Sequence, residues 1–479
     1  MGKLRIPVLL VLFSAAAAIE AFRLTSLSSL NNADIWWHLG SGLWMLQHHA
    51  LPHTGIFSQA SAQPWIAANW AYEWSLAIFY KAFGLAAIPL FLMAFKTVLA
   101  VLTFVLAGGM QGRFWAAVAL SAVTQFVLGG VQPGPVYLSI LFFGIELLLL
   151  LQARQRRSVR LLWWLPVLFL VWANVHVQFV YGLAVLFCFV LATALESRMA
   201  VAVLPLPKVA SIFGVSVIAT IVTPYFCRPY AVFLSTTFNS ANRYLPDFQA
   251  LGFRQAQDYL LLLLAMSAFL ALGLRQSREA FQISALAFAL GLSFYSQRDI
   301  WVVTLVAVAI LGEALSNQER TLSADQMRKL RRQWWIAASA AVALALAVFA
   351  LRVPRGREAL LAKVSTSYPV AACDSIRGHR FPQPMFNAYE WGGFLSWCLP
   401  EYPVAIDSRT ELYGGDIVTE YSKVMNAEVP YTEYSAVADA ETIVLPKKAN
   451  MAVALSSVPR FQVAYSDDVA VVLTRRSTP

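Results

Sequence analysis

Charge is scarce in this chain. Only 13% of its 479 residues are Asp, Glu, Lys or Arg, against 59% hydrophobic, which leaves too little polar surface to clothe a water-soluble globule. Cysteine is scarcer, four in all, so a disulfide-dense secreted scaffold is excluded. No glycine-rich phosphate loop and no G-x-G-x-x-G fingerprint occurs, which removes the usual signatures of a nucleotide site; transporters share that absence. The net charge of +10 is not gathered into a basic patch interleaved with aromatics, and a nucleic-acid surface is excluded with it. From Arg23 to Lys81 there is no intervening Lys or Arg.

What the chain has instead is apolar length. A bilayer core takes roughly 20 helical residues, and such runs fall near 7–24, 85–108, 114–130, 135–151, 161–174, 177–195, 208–223, 257–274, 279–295, 299–316 and 333–351. The composition predicts a polytopic α-helical membrane protein of about 11 spans. The first run has the basic start of a signal peptide, but Glu20 and Arg23 stand where small residues would precede cleavage, so it reads as a retained helix. Basic residues cluster at Arg154–Arg160, Arg275–Arg278 and Arg320–Arg332, and the positive-inside rule makes those loops and the N-terminus cytoplasmic. That register leaves the loop 25–84 outside only if "NWAYEWSLAIFYKAF" (69–83), which carries Glu73 and Lys81, lies in the outer interface instead of crossing; a re-entrant hairpin is the competing reading. The expected divisions are a multi-span domain over 1–351 with that first outer loop, and a domain over 352–479, in a cytoplasmic (inner) membrane.

After Leu351 charge, proline and glycine appear together, and the tail is long enough for a small extracytoplasmic domain. "PVAID" (403–407), "TIVLP" (442–446), "FQVAY" (461–465) and "VAVVLT" (469–474) alternate as strands do, while 411–428 and 448–457 look helical, which predicts an α/β domain. Cys373 and Cys398 fall in it, where a bridge is chemically allowed; Cys188 and Cys227 belong to the membrane part.

The outer loop "NNADIWWHLGSGLWMLQHHALPHTG" (31–55) holds Asp34 and four of the six histidines. Each residue has a plain reading. Asp34 could cap a helix, and Trp36 and Trp37 could belong to an interfacial aromatic belt. Asp34 and His38 share a helical face at i and i+4, so they are the candidate ligands if a divalent metal ion takes part. Asn174, His176, Arg228, Arg243, Asp247, Arg298 and Asp299 are expected on the same outer side, although Arg298 and Asp299 could be a local ion pair. Lys96 and Glu146 lie inside apolar runs, where an ionisable group is costly; snorkelling is one answer for Glu146.

A first helix entering from the cytoplasm, an outer loop that opens on an acid, interfacial helices, many further spans and a soluble outer tail together resemble the GT-C superfamily of polyprenyl-phosphate-dependent glycosyltransferases. "DIWWHLGSGLWMLQHHALPHTGIFS…QPWIAANWAYEW", "WANVHVQF" and "TPYFCRPY" resemble the bacterial branch of that group, and "FNAYEWGGFLSWCLPEYPVAIDSRTELYG" (386–414) is similar to the WWDYG region of oligosaccharyltransferase catalytic subunits. Here the chain has Tyr389, Glu390, Trp391 and Gly392, so peptide-acceptor recognition does not carry over. The resemblance implies that Asp34, or Glu73 in its place, is the base on an acceptor while a sugar moves, with inversion, from a polyprenyl-phosphate donor to an extracytoplasmic acceptor. Trp36 and Trp37 would seat the loop at headgroup depth and His38 would orient Asp34 or the phosphate. His176, Asn174, Arg228, Arg243 and Arg298 become candidate donor-binding groups, and Tyr389, Glu390 and Trp391 candidate acceptor-side groups. A transporter or flippase for lipid-linked glycans, and a catalytically inactive partner-binding relative, remain as alternatives.

Overall fold

A computed structural model describes residues 32–476 apart from 112–113, 202, 275–278, 316–331 and most of 332–356. Contacts divide it into two units: the first takes Leu90–Tyr230 and the chain from Asp247, and the second takes the first loop to Pro89, Ala231–Pro246 and the tail from Pro354.

The first unit is helical. Of the described helices, those within Trp70–Leu106, Val136–Gln155, Phe179–Arg198 and Ala256–Leu274 are long and apolar enough to cross a membrane; Phe114–Gly130, Val159–Val175, Leu206–Ile221 and Ala280–Tyr295 are apolar but shorter. The runs near 7–24 and, for the most part, 333–351 lie outside the described residues, so the count of about 11 stays an expectation. Helix Leu165–Val175 packs on Leu206–Ile221, and the Asn174 amide joins them by donating to the Val222 carbonyl at 3.0 Å. Helix Ile300–Ala314 is buried almost throughout, and Gly312 lets it approach Ala107 so closely that an added Cβ would lie 2.7 Å from the Ala107 Cα. Lys96 is buried with its ammonium on the Leu128 carbonyl at 3.2 Å and 5.0 Å from the Tyr137 ring centre, so the depth that made it costly is compensated locally. Glu146 does not snorkel: it is fully buried, and a Cβ added at Gly182 would lie 2.6 Å from its carboxylate.

The second unit opens with α1 (Ala33–His48) and α2 (Trp70–Phe83). Gly84, at φ 59, separates α2 from the apolar helix Ala87–Leu106, so the sequence carrying Glu73 and Lys81 ends before the membrane-length run begins. In the tail follow α3 (Arg357–Val364), α4 (Val370–His379), α5 (Tyr389–Cys398), α6 (Thr410–Met425) and α7 (Asn450–Ser456). Four strands, β1 (Met385–Asn387), β2 (Thr442–Pro446), β3 (Phe461–Ser466) and β4 (Ala470–Arg475), form a sheet in the order β1-β2-β4-β3, with β1 and β2 parallel and the other pairs antiparallel. Three of the expected strands are there. The expected strand at 403–407 is not; it is a connecting segment making one bridge, from Val404 to Ser58 of the first loop. Its backbone is satisfied by a side chain instead, since Asn387 accepts from the Ala405 N–H at 2.9 Å and donates to the Ile406 carbonyl at 2.7 Å. Cys373 and Cys398 are bridged, joining α4 to the end of α5.

Two glycines set how this unit closes. A Cβ on Gly42 of α1 would lie 2.0 Å from the Glu73 carbonyl oxygen of α2, and one on Gly393 of α5 would lie 2.6 Å from the Ala33 carbonyl oxygen. Helix α1 is therefore held between α2 and α5 at backbone contact distance. Trp36, fully buried, fills the α1–α5 seam with its ring centre 5.0 Å from both Phe394 and Trp397.

Candidate active site

The first turn of α1 decides what Asp34 can do. The helix is capped by Asn32, whose Oδ1 accepts the Asp34 N–H at 2.6 Å. Asp34 is thus not the cap. It sits half-buried in the first turn, where the positive end of the helix favours a carboxylate, and the Trp37 indole N–H approaches its Oδ1 at 3.4 Å.

One turn on, His38 Nδ1 lies 3.0 Å from Glu73 Oε1, with both side chains buried. Burial drives each toward its neutral form: it lowers His38 to about 3, with Asp34 opposing and Arg409 reinforcing, and raises Glu73 to about 8 against the pull of Arg409. Near neutral pH a single proton then lies between Oε1 and Nδ1. The other oxygen of Glu73, Oε2, has no hydrogen-bond partner.

A residue that sequence reasoning did not single out completes the group. Arg409, 1% exposed, is paired side-on with Asp407 through Nε and Nη2, with a shortest contact of 2.6 Å. Nη2 also donates to the Ile56 carbonyl at 2.9 Å, and the guanidinium lies 4.8 Å from the Trp65 ring centre and 6.0 Å from that of Trp37. The segment 403–413 grips the first loop elsewhere too: Trp65 donates to Glu411 at 3.2 Å, Tyr413 to Ser58 at 3.0 Å, and Gln59 to the Pro403 carbonyl at 3.2 Å. The signal available in the sequence was the acid-Ser-Arg triplet at Asp407, Ser408 and Arg409, directly after the apolar run 403–406.

Of the expected residues, Asp34, Trp37, His38, Glu73, Arg243, Tyr389, Glu390 and Trp391 fall in the second unit. Burial, with the charges of Asp34, Asp407, Glu411 and Glu390 reinforcing it, raises the Tyr389 phenol well above the usual value. Trp391 is turned inward and donates to the Ser367 carbonyl at 3.0 Å, whereas Glu390 is exposed. Arg243 is exposed, over the Tyr244 ring at 4.9 Å.

Asn174, His176, Arg228 and Arg298 belong to the first unit. There Asn174 and His176 serve packing: His176 Nδ1 lies 2.8 Å from the Ser139 hydroxyl, which accepts from the Trp172 indole at 2.8 Å. Arg298 lies 4.9 Å from the Phe248 ring centre, and Arg228 opens the helix Arg228–Thr237. Asp299 is not simply ion-paired to its neighbour; it accepts from Gln178 at 2.8 Å and from Tyr181 at 3.0 Å.

Trp36 and Trp37 are 0% and 6% exposed, so they pack the interior of their unit and do not form a lipid-facing aromatic belt. Nor do the loop histidines converge: His38 is paired to Glu73, while His48 is exposed and stacked on Trp44 with ring centres 4.3 Å apart. Among the described residues no group of three or more His, Cys, Asp or Glu side chains is placed to hold a metal.

No family model and no curated protein matches the sequence. Solved structures do match. The archaeal oligosaccharyltransferase AglB from Archaeoglobus fulgidus, in complex with an inhibitory peptide and a dolichol-phosphate, is similar over 92% of this chain and 69% of its own, at 11% identity and a TM-score of 0.50. This chain has a GT-C-like fold. ArnT from Cupriavidus metallidurans, bound to undecaprenyl phosphate, aligns over 97% of both chains at 14% identity with a TM-score of 0.48. At such identities the GT-C likeness is one of fold, and the chemistry has to come from the residues.

Proposed function

We propose that this protein transfers a sugar from a polyprenyl-phosphate donor to an extracytoplasmic acceptor, with inversion, and that Asp34 is the base. The observation that carries the reading is the division of labour at the start of α1: Asn32 does the capping and leaves the Asp34 carboxylate with the Trp37 indole as its hydrogen-bond donor. The GT-C-like fold supports the donor class, since AglB and ArnT were solved with dolichol-phosphate and undecaprenyl phosphate.

In the proposed reaction the acceptor oxygen or nitrogen attacks the anomeric carbon as its proton passes to Asp34. The bond from that carbon to the phosphate oxygen breaks, and the electron pair leaves with the polyprenyl phosphate. A positioned base contributes roughly 10² to 10⁴ in rate. Tyr389, whose phenol is raised by burial and by the charge of Asp34, is a candidate acceptor contact. The chain would act with its N-terminus cytoplasmic and its tail outside; the Cys373–Cys398 bridge supports an oxidising side for the tail.

The test is mass spectrometry of envelope glycans and lipid-linked sugars from cells with the gene, without it, and carrying Asp34→Asn. An accumulating lipid-phosphate sugar in the deletion and in Asp34→Asn supports the reading. Unchanged glycans with altered uptake of a substrate would replace it with transport.

A further inference from the structure

Arg409 is a buried cation with one side unspent. A guanidinium carries five N–H donors. Here the Nε and Nη2 edge is committed to Asp407 and the Ile56 carbonyl, while Nη1 is buried and has no hydrogen-bond partner. Leaving charged N–H groups dry and unpaired is costly, and a purely structural arginine would be expected to spend them. The surroundings are those of a recognition site: the guanidinium faces the rings of Trp65 and Trp37, and Trp37 is the residue whose indole reaches Asp34. Arginine commonly bridges two anions through its two edges, and its planar fork suits the oxygens of a phosphate.

We propose that Nη1 of Arg409 takes a phosphate oxygen of the lipid donor, so that the tail supplies the cation that receives the leaving group opposite Asp34. This rests on the polyprenyl-phosphate reading above and deepens it: the phosphate-binding cation is Arg409, not Arg228, Arg243 or Arg298. In the transition state negative charge grows on that phosphate, and a donor already fixed by Asp407 and Ile56 meets it with little reorganisation.

The test measures binding to the full chain in nanodiscs with two probes of equal length, undecaprenyl phosphate and undecaprenol, and with inorganic phosphate as competitor. Arg409→Lys retains the charge but loses the fork. It is expected to weaken undecaprenyl phosphate binding by about 10- to 100-fold, the loss of a charge-assisted hydrogen bond, and to leave undecaprenol binding unchanged. Competition by millimolar inorganic phosphate would mean that the site reads the phosphate by itself, and its absence that the prenyl chain must dock first; the affinity ratio between the two lipids carries the proposal in both cases. A folded Arg409→Lys protein with wild-type affinity, or one that loses both lipids equally, overturns the inference while the donor reading stands. A wild-type protein that does not distinguish the two lipids overturns the donor reading as well. Should the variant not fold, photolabelling of the wild type decides: an undecaprenyl phosphate carrying a diazirine on its first isoprene is expected to mark peptides within 32–66 or 403–413, and labelling confined to other peptides overturns the proposal.

Discussion

Nδ1 of His38 and Oε1 of Glu73 lie 3.0 Å apart across the α1–α2 seam, buried, and directly beneath them Gly42 brings the two backbones into contact. The pair ties the helix carrying Asp34 to the helix carrying Glu73. Burial, which pushes the Glu73 carboxyl up to about 8, leaves only a minor fraction of it ionised near neutral pH, with Oε1 engaged by His38.

Asp34→Asn is therefore expected to insert normally, to bind the lipid donor, and to lose about 10² or more in turnover. Asn32→Ala is the companion, since loss of the cap costs about 1 kcal/mol of stability while the base stays in place. Single-turnover sugar transfer and thermal melting separate the two. An active Asp34→Asn protein would remove the base.

The His38–Glu73 pair predicts a stability profile with two limbs. Glu73, raised from 4.5 to about 8, contributes stability that is complete below 4.5 and is lost as pH rises through about 8. His38, lowered from 6.5 to about 3, contributes stability that is complete above 6.5 and is lost as pH falls toward about 3. Melting temperature should be highest between these regions, near pH 4.5 to 6.5. Glu73→Gln should abolish the alkaline limb and spare the acid one, which differential scanning from pH 4 to 9 would read.

Gly393→Ala should push α5 off the first turn of α1, because the new Cβ would meet the Ala33 carbonyl oxygen at 2.6 Å and the Trp37 N at 3.2 Å. Overpacking of this kind costs about 1 to 3 kcal/mol, more than the roughly 1 kcal/mol that alanine returns in helix propensity. Activity should fall more than stability does, since the displaced turn bears Asp34. Denaturant melts beside turnover measurements check both.

Topology is testable with single cysteines at exposed positions. Arg156→Cys is expected to label only from the cytoplasmic side and Ser457→Cys only from outside. An impermeant maleimide on intact cells and inverted vesicles reads the result, and labelling of both from one side would separate Asp34 from the outer face.

The apolar helices and three of the four strands of the tail were legible in the chain, because period and composition are local properties that a linear reading captures. The three-residue β1 was not, being too short to show a period. Only the tertiary structure decided that Trp36 and Trp37 face inward, that His38 is paired with Glu73, and that Arg409 reaches back across 353 residues to the Ile56 carbonyl. The physical reason is that the partner of a buried polar group is whichever group the fold brings within about 3 Å, and sequence separation carries no information about that distance.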